Sequence, residues 1–246
     1  MTMTEQKKLA VIQPTAFTEI NRIHRQALSA KRGSLVVTAA SSGEGTSTFA
    51  HIMALRSADN GQKTLLVDLN MRDTNLTNSF AADRHAWRLP ERQINEPLLD
   101  LVSPVEGVDS LHFMSAPRDD MSVQYLRDVT RANFFLTNLE RHFDHIVIDT
   151  TPINAYNRYN VDPVLMAAAA TRTVLVMMAA STPREKVKKA REMLEDAGAT
   201  IEGILVNDYK NPSLREEMLR FASTIDRISP DFASWLKKKI MDAETL

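Results

Sequence analysis

The stretch that decides the fold is Ser34–Ala50, SLVVTAASSGEGTSTFA. A short β-branched strand (Leu35, Val36, Val37, Thr38) runs into a turn of small residues and then into a helix. In that layout consecutive backbone N–H groups and a helix N-terminus surround an anion. The phosphate-binding pattern G-x-x-x-x-G-K-[ST] places Ala40 at the first glycine, Gly45 at the second, Thr46 at the lysine and Ser47 at the Mg²⁺-binding hydroxyl. Two of the four fixed positions match, and the cation is missing.

Outward from this loop, short apolar runs alternate with longer amphipathic segments. Leu35–Ala40, Thr64–Asp68, Ser110–Ser115, His145–Asp149, Thr173–Met178 and Ile201–Asn207 read as buried parallel strands. Phe17–Ala30, Ser47–Ala58, Val123–Phe143, Val161–Ala170 and Pro183–Ala197 read as helices, the last closed by Gly198. This βαβ succession predicts an α/β fold: a doubly wound, mostly parallel sheet with helices on both faces and ligands at the carboxyl ends of the strands. The polar Asn78–Asn95 segment reads as a surface insertion.

The chain has 246 residues, 43% of them hydrophobic, enough for one large domain. We expect a helix within residues 1–33, a core over 34–228 and a terminal amphipathic helix over 229–246 belonging to the same domain. A net charge of −1 argues against nucleic acid as a partner. The absence of cysteine excludes disulfides and thiolate chemistry and suits a reducing compartment. No run approaches the roughly 20 apolar residues of a membrane span, and the first residues lack a signal-peptide core. Cytoplasm is the expected location. The six histidines show no metal-ligand spacing, and Met177 and Met178 read as core filling.

Two acids end predicted strands: Asp68 in LLVDLNMRD and Asp149 in HIVIDTTP. Beside a phosphate loop such acids orient Mg²⁺ or accept a proton from an attacking hydroxyl; taken singly, each equally suits a cap or turn.

With these motifs in order, the sequence resembles the MinD/ParA-type deviant P-loop ATPases. Within them it is similar to the cytoplasmic domains of the bacterial tyrosine kinases (BY-kinases) of capsule and exopolysaccharide assembly, over about residues 15–210. The family loop reads S-x-x-P-G-E-G-K-S-T, and SSGEGTST at 41–48 keeps Gly43, Glu44, Gly45, Ser47 and Thr48 around Thr46. The family's φφφD-x-D-x-R is matched by Asp68 and Arg72, with Asn70 at the second acid; its φφφD-[TS]-P-P is matched by Asp149, Thr150 and Pro152, with Thr151 for a proline. GILVNDY resembles the segment whose asparagine, here Asn207, contacts adenine.

The resemblance implies a nucleotide site of Gly43–Thr48 and Asn207, Mg²⁺ at Ser47, Asp68 and Asp149, and catalysis by Asp68, Asp149 and Arg72. Glu19, Arg22 and Arg25 form E-x-x-R-x-x-R, similar to the family's oligomerisation motif, with residues three apart sharing a helix face. Implied partners are copies of this chain and a transmembrane polysaccharide co-polymerase, at the inner face of the cell membrane.

Thr46 removes a charge that phosphoryl transfer depends on, and a neutral Asn70 binds a hard cation less strongly. Met218–Leu246 lacks the tyrosine cluster of active BY-kinases. The expectation is a degenerate regulator of exopolysaccharide assembly in which ATP or ADP with Mg²⁺ binds weakly or not at all. The alternatives are an active tyrosine kinase or ATPase using a substitute cation, with Arg72 or a neighbouring subunit's arginines as sources, and a MinD/ParA-like positioning ATPase. Lys31 and Arg32 belong to the wrong end of the sheet. In Asp231–Met241, Phe232, Trp235, Leu236 and Ile240 share a helical side beside Lys237–Lys239, which suits either the core or an anionic membrane surface.

Overall fold

The computed structural model describes residues 16–28, 32–80, 82–87 and 98–208. The expected C-terminal helix, Lys31, and Ala81 and residues 88–95 of the insertion lie outside them.

The described chain runs α1 (Ala16–Leu28), β1 (Gly33–Ala39), α2 (Thr46–Asp59), β2 (Thr64–Leu69), α3 (Asn75–Ser79), β3 (Val102–Pro104), β4 (Leu111–Met114), α4 (Asp120–Tyr125), α5 (Val129–Glu140), β5 (His145–Thr150), α6 (Pro163–Ala169), β6 (Arg172–Met178), α7 (Arg184–Asp196) and β7 (Ile201–Asn207). The strands form one sheet in the order β3-β4-β2-β5-β1-β6-β7. β1 pairs in parallel with β5 and β6, and β2 with β4 and β5, while β3 lies antiparallel on β4. The predicted α/β, mostly parallel architecture is what the chain adopts.

Period-two alternation explains why the strands are apolar throughout. Leu35, Val37, Leu66 and Val147 face one side with Phe49, Ala50 and Met53 of α2 and with Ala27 and Leu28 of α1. Val36, Leu65, Val67, Ile146 and Ile148 face the other with Phe135, Leu136 and Leu139 of α5, Met166 of α6 and Leu194 of α7.

Two expectations are corrected. The single helix read over Val123–Phe143 is two, because Asp128 interrupts it and caps α5 by accepting from the Arg131 N–H at 2.9 Å. Part of the surface insertion is fastened to the core: Trp87 is buried, and its indole N–H donates to the Ser115 carbonyl at 3.1 Å.

At the amino ends of the strands, the Thr64 hydroxyl donates to Ser57 Oγ at 2.8 Å, and Ser57 Oγ meets His145 Nδ1 at 2.6 Å. His24 of α1 stands edge-on to His145 with ring centroids 6.2 Å apart. Burial, helped by His145 and Arg56, lowers its pKa from 6.5 to about 4. Arg32 pairs with Asp144 at 2.7 Å at this same edge, away from the loop, as its place in the sequence predicts.

Met178–Ser181 and Asn207 belong to a second unit. Within it the Ala179 N–H donates to the Asn207 carbonyl at 2.7 Å. Among the described residues, no helix is long and apolar enough to cross a membrane.

Candidate nucleotide site

The loop is shaped by its glycines. Gly43 and Gly45 have φ of 80° and 94°, a left-handed backbone that residues with a Cβ adopt only at a cost. Gly45 caps α2 without a side chain, and the first intrahelical bond runs from the Phe49 N–H to the Gly45 carbonyl at 2.9 Å. The N–H groups of Thr46, Ser47 and Thr48 therefore have no partner in the helix, the arrangement that receives an anion. A Cβ built on Gly43 would meet open space.

Glu44 is buried, and its carboxylate accepts the Ser41 N–H at 3.1 Å and the Thr182 hydroxyl. It ties the loop to the residues preceding α7. Thr46 is buried, Ser47 is half-buried and Thr48 is exposed.

Asp68 and Asp149 are register partners on the adjacent strands β2 and β5, and both are fully buried. Asp149 Oδ2 accepts a short hydrogen bond from Ser47 Oγ, whereas its Oδ1 is buried with no partner. Burial and the neighbouring Asp68 charge push the Asp149 pKa well above the usual carboxylate range, against the Ser47 hydrogen bond and the nearby Asn70 side chain.

Asp68 is differently placed. Its Oδ1 accepts the Asn70 N–H at 2.9 Å, and its Oδ2 accepts the Thr77 N–H at 3.0 Å and the Thr77 hydroxyl at 2.6 Å. Thr77 Oγ1 in turn accepts the Ala116 N–H at 3.1 Å, so the acid anchors α3 and the exit of β4. Burial raises the Asp68 pKa; the Thr77 and Asn70 bonds and the Arg84 charge oppose the rise.

The cations are few. Arg72 follows β2 and is exposed, and no ion pair among the described residues includes it, Asp68 or Asp149. Arg84, missed in the sequence because it lies in the polar insertion, donates from Nε to the Ala116 carbonyl at 3.3 Å and from Nη2 to that of Pro117. Thr77 was missed too, since nothing local marks a threonine nine residues after Asp68 as its partner.

The structure thus brings together Ser47 and Asp149, and Asp149 and Asp68. It does not tie Arg72 to either. Asn207 ends β7 in the second unit. In α1, Arg22 and Arg25 are both exposed.

No protein-family model matches the chain. It is 30% identical over 174 residues to the tyrosine-protein kinase CpsD of Streptococcus agalactiae, a match covering 70% of this chain and 74% of the relative. Among solved structures, the chimerical protein CapA2B2 superposes with a TM-score of 0.65 at 23% identity, over 79% of this chain and 85% of that one. The cell division ATPase MinD of Pyrococcus furiosus does so with a TM-score of 0.56 at 18% identity, over 73% of each chain. These superpositions establish the MinD/ParA-like P-loop fold. With that fold and the CpsD relationship, the chain belongs to the bacterial tyrosine-protein kinase family.

Proposed function

We propose that this chain is a degenerate BY-kinase that regulates capsule or exopolysaccharide assembly through protein contacts, with weak or absent ATP binding and turnover. The observation that carries this reading is the state of Asp149: fully buried, beside a second acid, with one oxygen unpartnered and with Thr46 where the family has its lysine. A phosphate loop that adds a polyanion to two buried carboxylates needs positive charge, and this chain's loop supplies none. Loss of one preorganised donor costs about 3 kcal/mol, roughly a hundredfold in rate, and loss of a full charge costs more.

The remaining donor set fits Mg²⁺. Ser47 Oγ and the Asp149 carboxylate are hard oxygen ligands at the helix N-terminus that receives phosphates. When bound, Mg²⁺ neutralises charge on the transferring phosphoryl group. Asp68 is the group to take the acceptor hydroxyl's proton, but both of its oxygens are engaged by Asn70 and Thr77, which holds it as an anchor.

The function then lies in assembly at the inner face of the membrane. The exposed Arg22 and Arg25 of α1 offer a charged face to a second copy, and a transmembrane polysaccharide co-polymerase is the membrane partner. An active enzyme is the second reading, favoured by the exposed Arg72, which no ion pair among the described residues includes.

A phosphoryl-transfer assay with Mg²⁺ and labelled ATP separates the two readings, run beside co-purification with a co-polymerase encoded near this chain. The degenerate reading expects co-purification and no released phosphate or labelled tyrosine. Turnover abolished by Arg72→Ala overturns it.

A further inference from the structure

The loop that leaves β5 carries an arrangement the nucleotide site does not use. It begins at the phosphate loop, where the Asn154 N–H donates to the Ala40 carbonyl at 3.3 Å. It then displays Tyr156 and Tyr159, residues 41% and 56% exposed, although tyrosine is usually more buried. Of the chain's four tyrosines, Tyr125 is buried and Tyr209 lies outside the described residues.

These rings sit on a braced backbone. Arg127 Nη2 donates to the carbonyls of Asn157 and Asn160, each at 3.0 Å, and Asn157 Oδ1 accepts the Tyr159 N–H at 2.8 Å. Asn160 is buried beneath the loop, and Asp162 caps α6 by accepting the Val164 N–H at 2.9 Å. Arg158 lies over the Tyr159 ring, 4.7 Å from its centroid, and its Nη2 donates to the phenolic oxygen. Arg127 stands 5.7 Å from the Tyr156 centroid. An exposed phenol on a fixed turn, with a guanidinium already at its oxygen, is prepared for a dianion there, because arginine pairs with phosphate through charge-assisted hydrogen bonds.

We propose that Tyr159 is a phosphoacceptor, modified by a catalytically active tyrosine kinase of the same family, with Arg158 holding the phosphate. The proposal rests on the reading of this chain as a regulated, non-catalytic member of such a system. In the step, the Tyr159 phenolic oxygen bonds to the γ-phosphorus of ATP and the bond from that phosphorus to the β–γ bridging oxygen breaks. ADP leaves, and the phenolic proton passes to a carboxylate base of the acting kinase.

The test incubates the full chain with Mg²⁺-ATP, with and without an active lysine-bearing tyrosine kinase whose own phosphorylation is the positive control, and locates phosphotyrosine by peptide mass spectrometry. The expected result is one phosphoryl group at Tyr159, lost in Tyr159→Phe, kept in Tyr156→Phe, and dependent on the added kinase. A kinase that labels itself but not this chain, or a label that persists in Tyr159→Phe, overturns the proposal. Label at Tyr159 without added kinase supports the acceptor site and refutes the degenerate reading, so the two fail separately.

Discussion

Replacing Asp149 with asparagine should make this protein more stable at neutral pH, although it alters a fully buried hydrogen-bonded side chain. Asp149 and Asp68 are register partners on adjacent strands, which lie about 4.8 Å apart. Charging Asp149 at about that spacing from a second carboxylate costs about 3 kcal/mol at an effective dielectric of about 20, and burial adds to the cost. The asparagine carbonyl still accepts from Ser47 but loses the charge-assisted part of that bond, about 1 kcal/mol. The net gain is about 2 kcal/mol, or roughly 4–8 °C in Tm for a chain of this size. The pH dependence follows from the sign of the shifts. Both acids have folded pKa values above 3.8, so their favourable contribution is complete below the unfolded value and is lost as pH rises through the folded ones. The advantage of Asp149→Asn must therefore shrink as pH falls from 7.5 toward 4. Urea unfolding followed by circular dichroism at several pH values measures it. A variant less stable than the parent at pH 7.5, or a gain that does not change with pH, would refute the reasoning.

Thr77→Val keeps the side-chain shape but removes the hydroxyl shared by Asp68 and the Ala116 N–H; it should cost about 2–3 kcal/mol, read as a lower urea midpoint, and an unchanged midpoint would show that Asp68 is not an anchor. His24 has a folded pKa lowered to about 4 from 6.5, so the unfolded chain binds its proton first and stability is lost as pH falls through that window, by up to about 3 kcal/mol. His24→Leu should flatten this slope between pH 6.5 and 4 in the same unfolding series, and an unaltered slope would place the proton elsewhere.

Much of the fold is legible in the sequence because buried parallel strands are continuous apolar runs. The runs at Leu35, Thr64, Ser110, His145, Thr173 and Ile201 each contain a strand. β3 was not legible: three residues including Pro104, paired antiparallel at the sheet edge, leave no periodic trace. The break between α4 and α5 was hidden by apolar residues on either side of Asp128, whose capping role emerges only when its carboxylate is seen on Arg131. At the site, strand ends located Asp68 and Asp149, and their adjacency follows from the sheet order. What those acids touch did not follow. Asp68 is claimed by Thr77 and approached by Arg84 through a polar segment fastened by Trp87 and Ser115, and such tertiary contacts have no local signature.

The central claim is that the loop lacks the charge that holds a nucleotide, and calorimetric titration with ATP and ADP, with and without Mg²⁺, of the parent and Thr46→Lys tests it most directly. The account predicts little or no heat of binding in the parent and Mg²⁺-dependent binding gained in Thr46→Lys, which supplies a cation at the start of α2. Tight Mg²⁺-dependent binding by the parent would contradict it.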